Sequence, residues 1–232
     1  MKSFSTLIKS VAFAMMPFLA ISASEASTTK NQKPHTFEIT PELSKFKYGP
    51  KFLGLGGKYR YSFDQSYVEF DVGYAYSSCA KRNKYRMMGL FGHHFILNDD
   101  FMLTPYLGLG YRRDTFARNS GLKDFKFSAV TLPIGFTLAY IMDNKTTLKF
   151  NAEYEYYLTN HINIHRGNKF NRRTYGAVRM KNNIHAMKFQ PSAEMRFDSI
   201  SIEAKPFIRY TALRRPSFDG SREIGFGLGF KF

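Results

Sequence analysis

Basic side chains are concentrated in four segments that contain few acidic residues. The segments cover residues 77–84, 113–126, 159–184 and 211–222, and only Asp114, Asp124 and Asp219 oppose their Lys and Arg residues. Guanidinium and ammonium groups bind phosphate, sulfate and carboxylate through charge-assisted hydrogen bonds. The sequence therefore predicts an anionic ligand, and the candidate binding residues are Arg113, Lys169, Arg172, Arg173, Arg214 and Arg215.

A second set of charges alternates with apolar residues along the chain. A tight turn at Asp64-Gln65 would put Arg60 opposite Glu69, and the same hairpin register would put Lys58 opposite Asp71. Opposite charges at such positions form cross-strand ion pairs. We expect these pairs to fill the interior of a closed sheet, with a narrow polar pore as the alternative. The predicted set is Lys58, Arg60, Glu69, Asp71, Glu194, Arg196, Glu203 and Lys205.

Histidine and cysteine residues give little support for catalysis. His161, His165 and His185 lie in or beside the longest basic segment, where a His–Asp pair would lack acidic neighbours. A Ser–His esterase is harder to exclude. The sequence also leaves open whether His93 or the adjacent His94 points inward. The single cysteine, Cys79, excludes an internal disulfide framework and multi-cysteine metal sites. We predict no enzymatic activity, no metal and no cofactor.

Composition and the first residues narrow the class of protein. The 232-residue chain is 17% aromatic, which excludes intrinsic disorder, and its net charge of +16 indicates an anionic partner. A mean hydropathy of −0.34 argues against a bundle of membrane helices. Residues 1–26 have the plan of a secretory signal peptide, with Lys2 and Lys9, an apolar run and small residues up to Ala26. A membrane anchor is the alternative, but the run is short of the about 20 residues that cross a bilayer. We therefore predict that the exported chain does not bind nucleic acid.

A two-residue periodicity governs the chain from residue 37 to residue 232, after a linker at 27–36. Ile224, Phe226, Leu228, Phe230 and Phe232, for example, alternate with glycines and charged residues. One face of each block is rich in Phe, Leu, Ile and Tyr, which suits lipid. The other face carries small and charged residues, which suits the interior of a small barrel. The blocks are 37–47, 53–63, 68–76, 85–97, 103–111, 130–142, 148–158, 187–197, 200–210 and 224–232.

These blocks predict a closed antiparallel up-and-down transmembrane β-barrel of about ten strands. Closure is required in a bilayer, because an open edge would leave backbone amides without hydrogen-bond partners. Short turns alternate with the four long basic segments, which predicts short turns in the periplasm and long loops outside. Ten strands, with 37–47 as the first, leave both termini in the periplasm. Eight strands are the alternative.

With these features the chain resembles the small Gram-negative outer-membrane β-barrel proteins. The terminal phenylalanine and its alternating neighbours, Phe226, Leu228, Phe230 and Phe232, resemble the signal that the barrel assembly machinery reads in that family. Segments 103–112 and 206–210 are similar to its recurrent strand motifs. The resemblance implies residence in the outer membrane, with its lipid and lipopolysaccharide as partners.

Fold does not decide function, because many members of this group have no assigned chemistry. The function we predict is that of a surface protein whose basic loops bind anionic glycolipid or polysaccharide, including glycans of a host or the environment. A narrow porin-like channel is the second hypothesis, and a lipid-modifying enzyme is the third.

Overall fold

The computed structural model describes residues 34–47, 50–78, 82–116, 125–166, 173–179, 184–212 and 221–232. The predicted signal peptide and Cys79 lie outside these residues. At 115–116, 125–126, 160–166 and 173–179 only the backbone is described. The described strands are β1 (His35–Phe46), β2 (Lys51–Phe63), β3 (Ser66–Ser77), β4 (Arg82–His93), β5 (Phe95–Ile96), β6 (Phe101–Phe116), β7 (Phe125–Ile141), β8 (Thr146–Arg166), β9 (Arg173–Arg179), β10 (His185–Arg196), β11 (Ser201–Ala212) and β12 (Ser221–Lys231).

Ten of the strands in this described part form one closed antiparallel barrel. Strand β12 pairs with β1 and the pairing continues from β1 to β4, while β4 pairs with β6 and β6 to β8 follow in order. The pairing of β8 with β10 closes the ring, so all of these strands have a partner on each side. Among the described residues, strand β5 pairs only with β6, and β9 only with β8. The predicted barrel of ten strands is confirmed, and the eight-stranded alternative is wrong. The described residues contain no helix long and apolar enough to cross a membrane.

Four tight turns lie at one end of the barrel, which we call the turn end. The opposite end is called the loop end. The Asp64-Gln65 turn uses a left-handed backbone at Asp64, where φ is 50°, a conformation that Asp tolerates. Asn98 and Asp143 brace two further turns by accepting backbone N–H groups two and three residues ahead. The N–H groups of Lys145 and Thr146 hold the pKa of the Asp143 carboxyl below its usual value.

The apolar face of the strands points away from the barrel axis and is exposed. On β2 the outward side chains include Leu53, Leu55, Tyr61 and Phe63, and the same pattern continues around the ring. No second sheet or helix of the described chain covers this face. Lipid is the solvent that such a surface requires, since an exposed apolar surface of this extent in water would drive association.

Three strands extend farther toward the loop end than the hydrophobic pattern predicts. Strand β6 continues to Phe116, β7 begins at Phe125, and β8 reaches Arg166 and pairs there with β9. These residues lie in the segments 113–126 and 159–184, which the sequence predicts as long loops. Backbone pairing is independent of the hydrophobic pattern, so the sheet continues beyond the apolar band. The block predicted at 85–97 is also interrupted, with β4 and β5 separated at His94.

Gly108 occupies a position on β6 where any side chain would collide with the neighbouring strand. A Cβ there would lie 2.1 Å from the Gly89 carbonyl oxygen, whereas a Cβ at Gly89 itself meets nothing within 4 Å. We expect Gly108→Ala to lower the free energy of unfolding by about 1–3 kcal/mol, because a backbone atom must move. Gly89→Ala on the paired strand is the matched control. Urea unfolding followed by far-UV circular dichroism measures both, and equal stability of the two variants would contradict the packing described here.

Candidate functional site

The β2–β3 hairpin has the register that the tight turn predicts. Arg60 lies opposite Glu69 and Lys58 lies opposite Asp71. The Arg60 guanidinium donates to Glu69 at 2.6 Å, and Lys58 Nζ lies 3.5 Å from Glu69 and 3.8 Å from Asp71. Arg60 also lies 4.1 Å over the Tyr67 ring, which points inward. The hairpin therefore presents a compact group of paired charges to the lumen.

Charges from five strands form a network in the half of the lumen nearer the turn end. Glu194 and Glu203 lie directly opposite each other on β10 and β11, and Lys231 on β12 bridges them at 2.5 Å to each. Lys149 pairs with Glu194 from the other side. Lys205 pairs with Glu38 across β12, and lies 3.2 Å from Glu203. Arg196 lies at the mouth, with its side chain 57% exposed and 3.5 Å from Glu194.

A second network lies near the loop end, and two of its members, Lys84 and Asp114, were not predicted from the sequence to face inward. Arg112 Nε donates to Asp114 at 2.6 Å, and the guanidinium also lies 3.7 Å from Glu155 and 3.9 Å from Glu223. Arg209 donates to Glu155 at 2.5 Å and to the Tyr157 hydroxyl at 2.8 Å. Lys84 pairs with Glu223 and lies over the rings of Phe46 and Phe52.

Lys84 and Asp114 were both assigned to loops in the sequence analysis. Each is a buried lumen residue on a strand. The signal that could have identified Lys84 is its even position in β4, in phase with Arg86, Met88 and Leu90, which also point inward.

Between the two networks the lumen is crossed by polar side chains, and a small cavity lies beside the network near the loop end. Arg86 donates to Asp71 at 3.1 Å, and the Tyr106 hydroxyl lies within 3.2 Å of Asn151 and Glu153. The cavity measures about 60 Å³, and its charged lining residues are Glu42, Lys84, Arg86, Arg112, Asp114, Lys188, Arg209 and Glu223. A cavity of this size holds only a few water molecules.

Acidic and basic side chains are nearly equal in number between the two mouths of the described lumen. The acidic residues are Glu38, Glu42, Glu69, Asp71, Asp114, Glu153, Glu155, Glu194, Glu203 and Glu223. The basic residues are Lys58, Arg60, Arg82, Lys84, Arg86, Arg112, Lys149, Lys188, Lys205, Arg209 and Lys231. Because these charges nearly balance, the described lumen contributes little to the net charge of +16.

The charges outside the lumen are segregated by sign along the barrel axis. Each remaining acidic side chain of the described residues lies in a turn at the turn end: Asp64, Asp99, Asp100, Asp143 and Asp198. Toward the loop end, the outward-facing charged side chains of the described strands are Lys45, Lys51, Arg113 and Arg222, all of them exposed. The loop end of the outer wall is therefore purely basic within the described residues.

Most of the predicted ligand residues lie outside the described residues. Arg113 lies on β6, exposed and pointing outward, and the backbone of Arg173 begins β9. Lys169, Arg172, Arg214 and Arg215 lie outside the described residues. The side chains predicted as an assembly signal, Phe226, Leu228, Phe230 and Phe232, line the outward face at the end of the chain, where β12 pairs with β11 and β1.

The described histidine side chains contact hydroxyl groups or aromatic rings. His93 lies 2.8 Å from the Ser66 hydroxyl on the outward face, and His94 lies 2.8 Å from the Thr104 hydroxyl. His94 is the inward member of this pair, buried and stacked on Tyr67. His35 contacts the Tyr59 hydroxyl, and His185 stacks on Tyr154.

No protein-family model and no curated protein matches the chain. Among solved structures, the outer membrane protease OmpT of Escherichia coli has a TM-score of 0.58 at 9% sequence identity, over 88% of this chain and 99% of that chain. The translocator domain of the autotransporter NalP from Neisseria meningitidis has a TM-score of 0.47 at 8% identity, over 97% of both chains. The attachment invasion locus protein Ail of Yersinia pestis has a TM-score of 0.39 at 11% identity, over 85% of this chain and 96% of that chain.

The chain has the fold of an outer-membrane β-barrel protein. The likeness to OmpT, at its low identity, shows the fold alone, and the exposed apolar band supplies the lipid-facing surface. The predicted resemblance and the predicted outer-membrane location are confirmed. In such barrels the short turns are periplasmic, so the turn end is the periplasmic end and the loop end is extracellular.

Proposed function

We propose that this protein is a surface-interaction protein whose barrel displays basic extracellular loops to an anionic glycolipid or polysaccharide. The observation that carries the proposal is the segregation of charge. The described lumen is nearly balanced, the periplasmic turns hold the other described acidic residues, and the described charged side chains on the outer wall at the loop end are basic. Such a surface attracts polyanions and steers their approach.

The filled lumen supports a scaffold over a porin-like channel. Side chains of Arg60, Tyr67, Tyr106 and Arg112 occupy the interior and are held by hydrogen bonds or ion pairs. Buried pairs of this kind resist separation, because an unpaired charge in a low-dielectric interior costs several kcal/mol. The filled barrel therefore provides a rigid scaffold for the extracellular loops.

An enzymatic role receives less support from the described residues. The described histidines contact hydroxyl groups or rings, and an acidic side chain that would orient a catalytic imidazole is lacking at each. The Ser66–His93 pair lies beside a tight turn at the periplasmic end, where cross-strand hydrogen bonds of this type stabilise a hairpin.

Reversal of charge in the basic segments 159–184 and 211–222 tests the proposal. We expect the variant with Arg172, Arg173, Arg214 and Arg215 replaced by Glu to bind heparin and lipopolysaccharide roughly tenfold more weakly at 0.15 M salt, because four favourable charges become repulsive. Isothermal titration calorimetry on the folded full-length protein in detergent measures the affinity. Lys145→Glu, in a periplasmic turn, is the control.

Unchanged affinity in the fourfold variant would overturn the loop assignment. Discrete single-channel steps from the wild-type protein in planar bilayers would instead favour the channel.

A further inference from the structure

Two lysines lie directly opposite each other on the outer wall of the barrel, near its extracellular end. Lys45 on β1 pairs in register with Lys51 on β2, and both side chains are exposed. Directly opposed residues of adjacent strands have Cα atoms about 4.5–5.5 Å apart. Both ammonium groups therefore emerge from the same small area of the wall.

Arg222 on the next strand extends this cationic area. In the β1–β12 register Lys45 lies opposite Ile224, and Arg222 is the next outward-facing residue of β12 toward the extracellular end. The Lys47 N–H donates to the Arg222 carbonyl oxygen at 2.8 Å, which holds the two chain segments together at this height. The Arg222 guanidinium lies 6.0 Å from the Tyr210 ring centroid. We call Lys45, Lys51 and Arg222 the wall patch.

The wall patch is electrostatically unfavourable without an anion. Like charges directly opposite each other destabilise a sheet. Within the described residues, neither Lys45 nor Lys51 forms an ion pair, and the described acidic side chains lie in the lumen or in periplasmic turns. A bound anion between the three cations would convert this repulsion into charge-assisted hydrogen bonds.

The surface next to the wall patch is apolar and selects the kind of anion. Toward the membrane centre, Leu43 and Leu53 are the next opposed outward pair, and Ile224 and Phe226 follow on β12. All four side chains are exposed. A ligand that fits both regions carries an anionic group above and hydrocarbon chains below.

We propose that the wall patch binds a phosphate group of the glycolipid that forms the outer leaflet around the barrel. The phosphate lies between Lys45, Lys51 and Arg222, and the acyl chains lie along Leu43, Leu53 and Phe226. The site is on the barrel wall and is separate from the loops, so it does not depend on the loop function proposed above.

Native mass spectrometry of the folded full-length protein in detergent tests the wall patch. The probes are lipid A with two phosphates and the same lipid A after enzymatic removal of both phosphates. We expect the wild-type protein to bind the phosphorylated form roughly tenfold more tightly. Equal binding of the two forms overturns the proposal without reference to any variant. Competition by inorganic phosphate at the same molar concentration as lipid A would overturn the choice of a lipid.

Neutral substitutions test which residues are responsible. We expect the variant K45Q/K51Q/R222Q to lose the preference for phosphorylated lipid A, and K145Q, at an exposed periplasmic lysine, to retain it. Retention of the preference in the triple variant overturns the assignment to the wall patch. The triple variant should still bind heparin, and the fourfold loop variant should still prefer phosphorylated lipid A, so failure of one proposal is distinguishable from failure of the other.

Discussion

Arg112→Met is expected to lower the free energy of unfolding by about 3–5 kcal/mol, because it leaves buried carboxylates without a counter-charge. The Arg112 side chain is 9% exposed and contacts Asp114 at 2.6 Å. Glu155 and Glu223 retain Arg209 and Lys84 as partners, respectively. Asp114 retains no partner among the described residues, and its Oδ1 atom is already buried without a hydrogen bond.

Arg196→Met is the matched control for this prediction. Arg196 also pairs with a buried carboxylate, but its side chain is 57% exposed at the periplasmic mouth and lies 3.5 Å from Glu194. Water screens such a pair, so we expect a loss of about 0–1 kcal/mol. The protein contains no tryptophan, so unfolding in urea is best followed by far-UV circular dichroism. If the two variants lose equal free energy of unfolding, water screens charges inside the lumen as strongly as at its mouth.

Leu109→Arg is expected to destabilise the protein in lipid vesicles by about 2–4 kcal/mol, because it places a charge on the lipid-facing wall within the apolar band. Leu109 lies on β6 between Leu107 and Tyr111, and its side chain is 59% exposed. In water, arginine at so exposed a site would cost little. A loss of stability of the expected size would therefore indicate that hydrocarbon surrounds this part of the barrel.

Leu97→Arg is the matched control, since Leu97 is also 59% exposed but begins the turn at the periplasmic end. The cost of a charge falls to about 0–1 kcal/mol near the membrane interface, and we expect a loss of that size. Urea unfolding from vesicles of one lipid composition compares the two variants. Equal losses of unfolding free energy for Leu109→Arg and Leu97→Arg would contradict the membrane-spanning arrangement.

Much of this fold follows from local spacing in the sequence. Residues that alternate with a period of two point to opposite faces of a strand, so Phe226 and Glu223 could be assigned to the outer wall and the lumen from their positions alone. Likewise, the two-residue turn after Phe63 determines the register of its hairpin, which is why the Arg60–Glu69 contact was predictable. Strand number followed from counting such blocks. Strand extension beyond the apolar band, as in β8, was not predictable, because backbone pairing leaves no periodic signal there.

Contacts across the lumen join residues that are far apart in the sequence, so local spacing does not predict them. Lys205 pairs with Glu38, which is 167 residues away, and Lys84 pairs with Glu223, which is 139 residues away. The sequence by itself determined that Glu38, Lys205 and Glu223 face inward, together with the class of fold and the sign of the outer surface, whereas Lys84 fell in a segment predicted as a loop. Closure of the tertiary structure decided which of them meet, and it placed Lys45, Lys51 and Arg222 side by side on the wall. Strand tilt and stagger set the height of each residue in a barrel, and neither quantity is encoded in the spacing of residues along one strand.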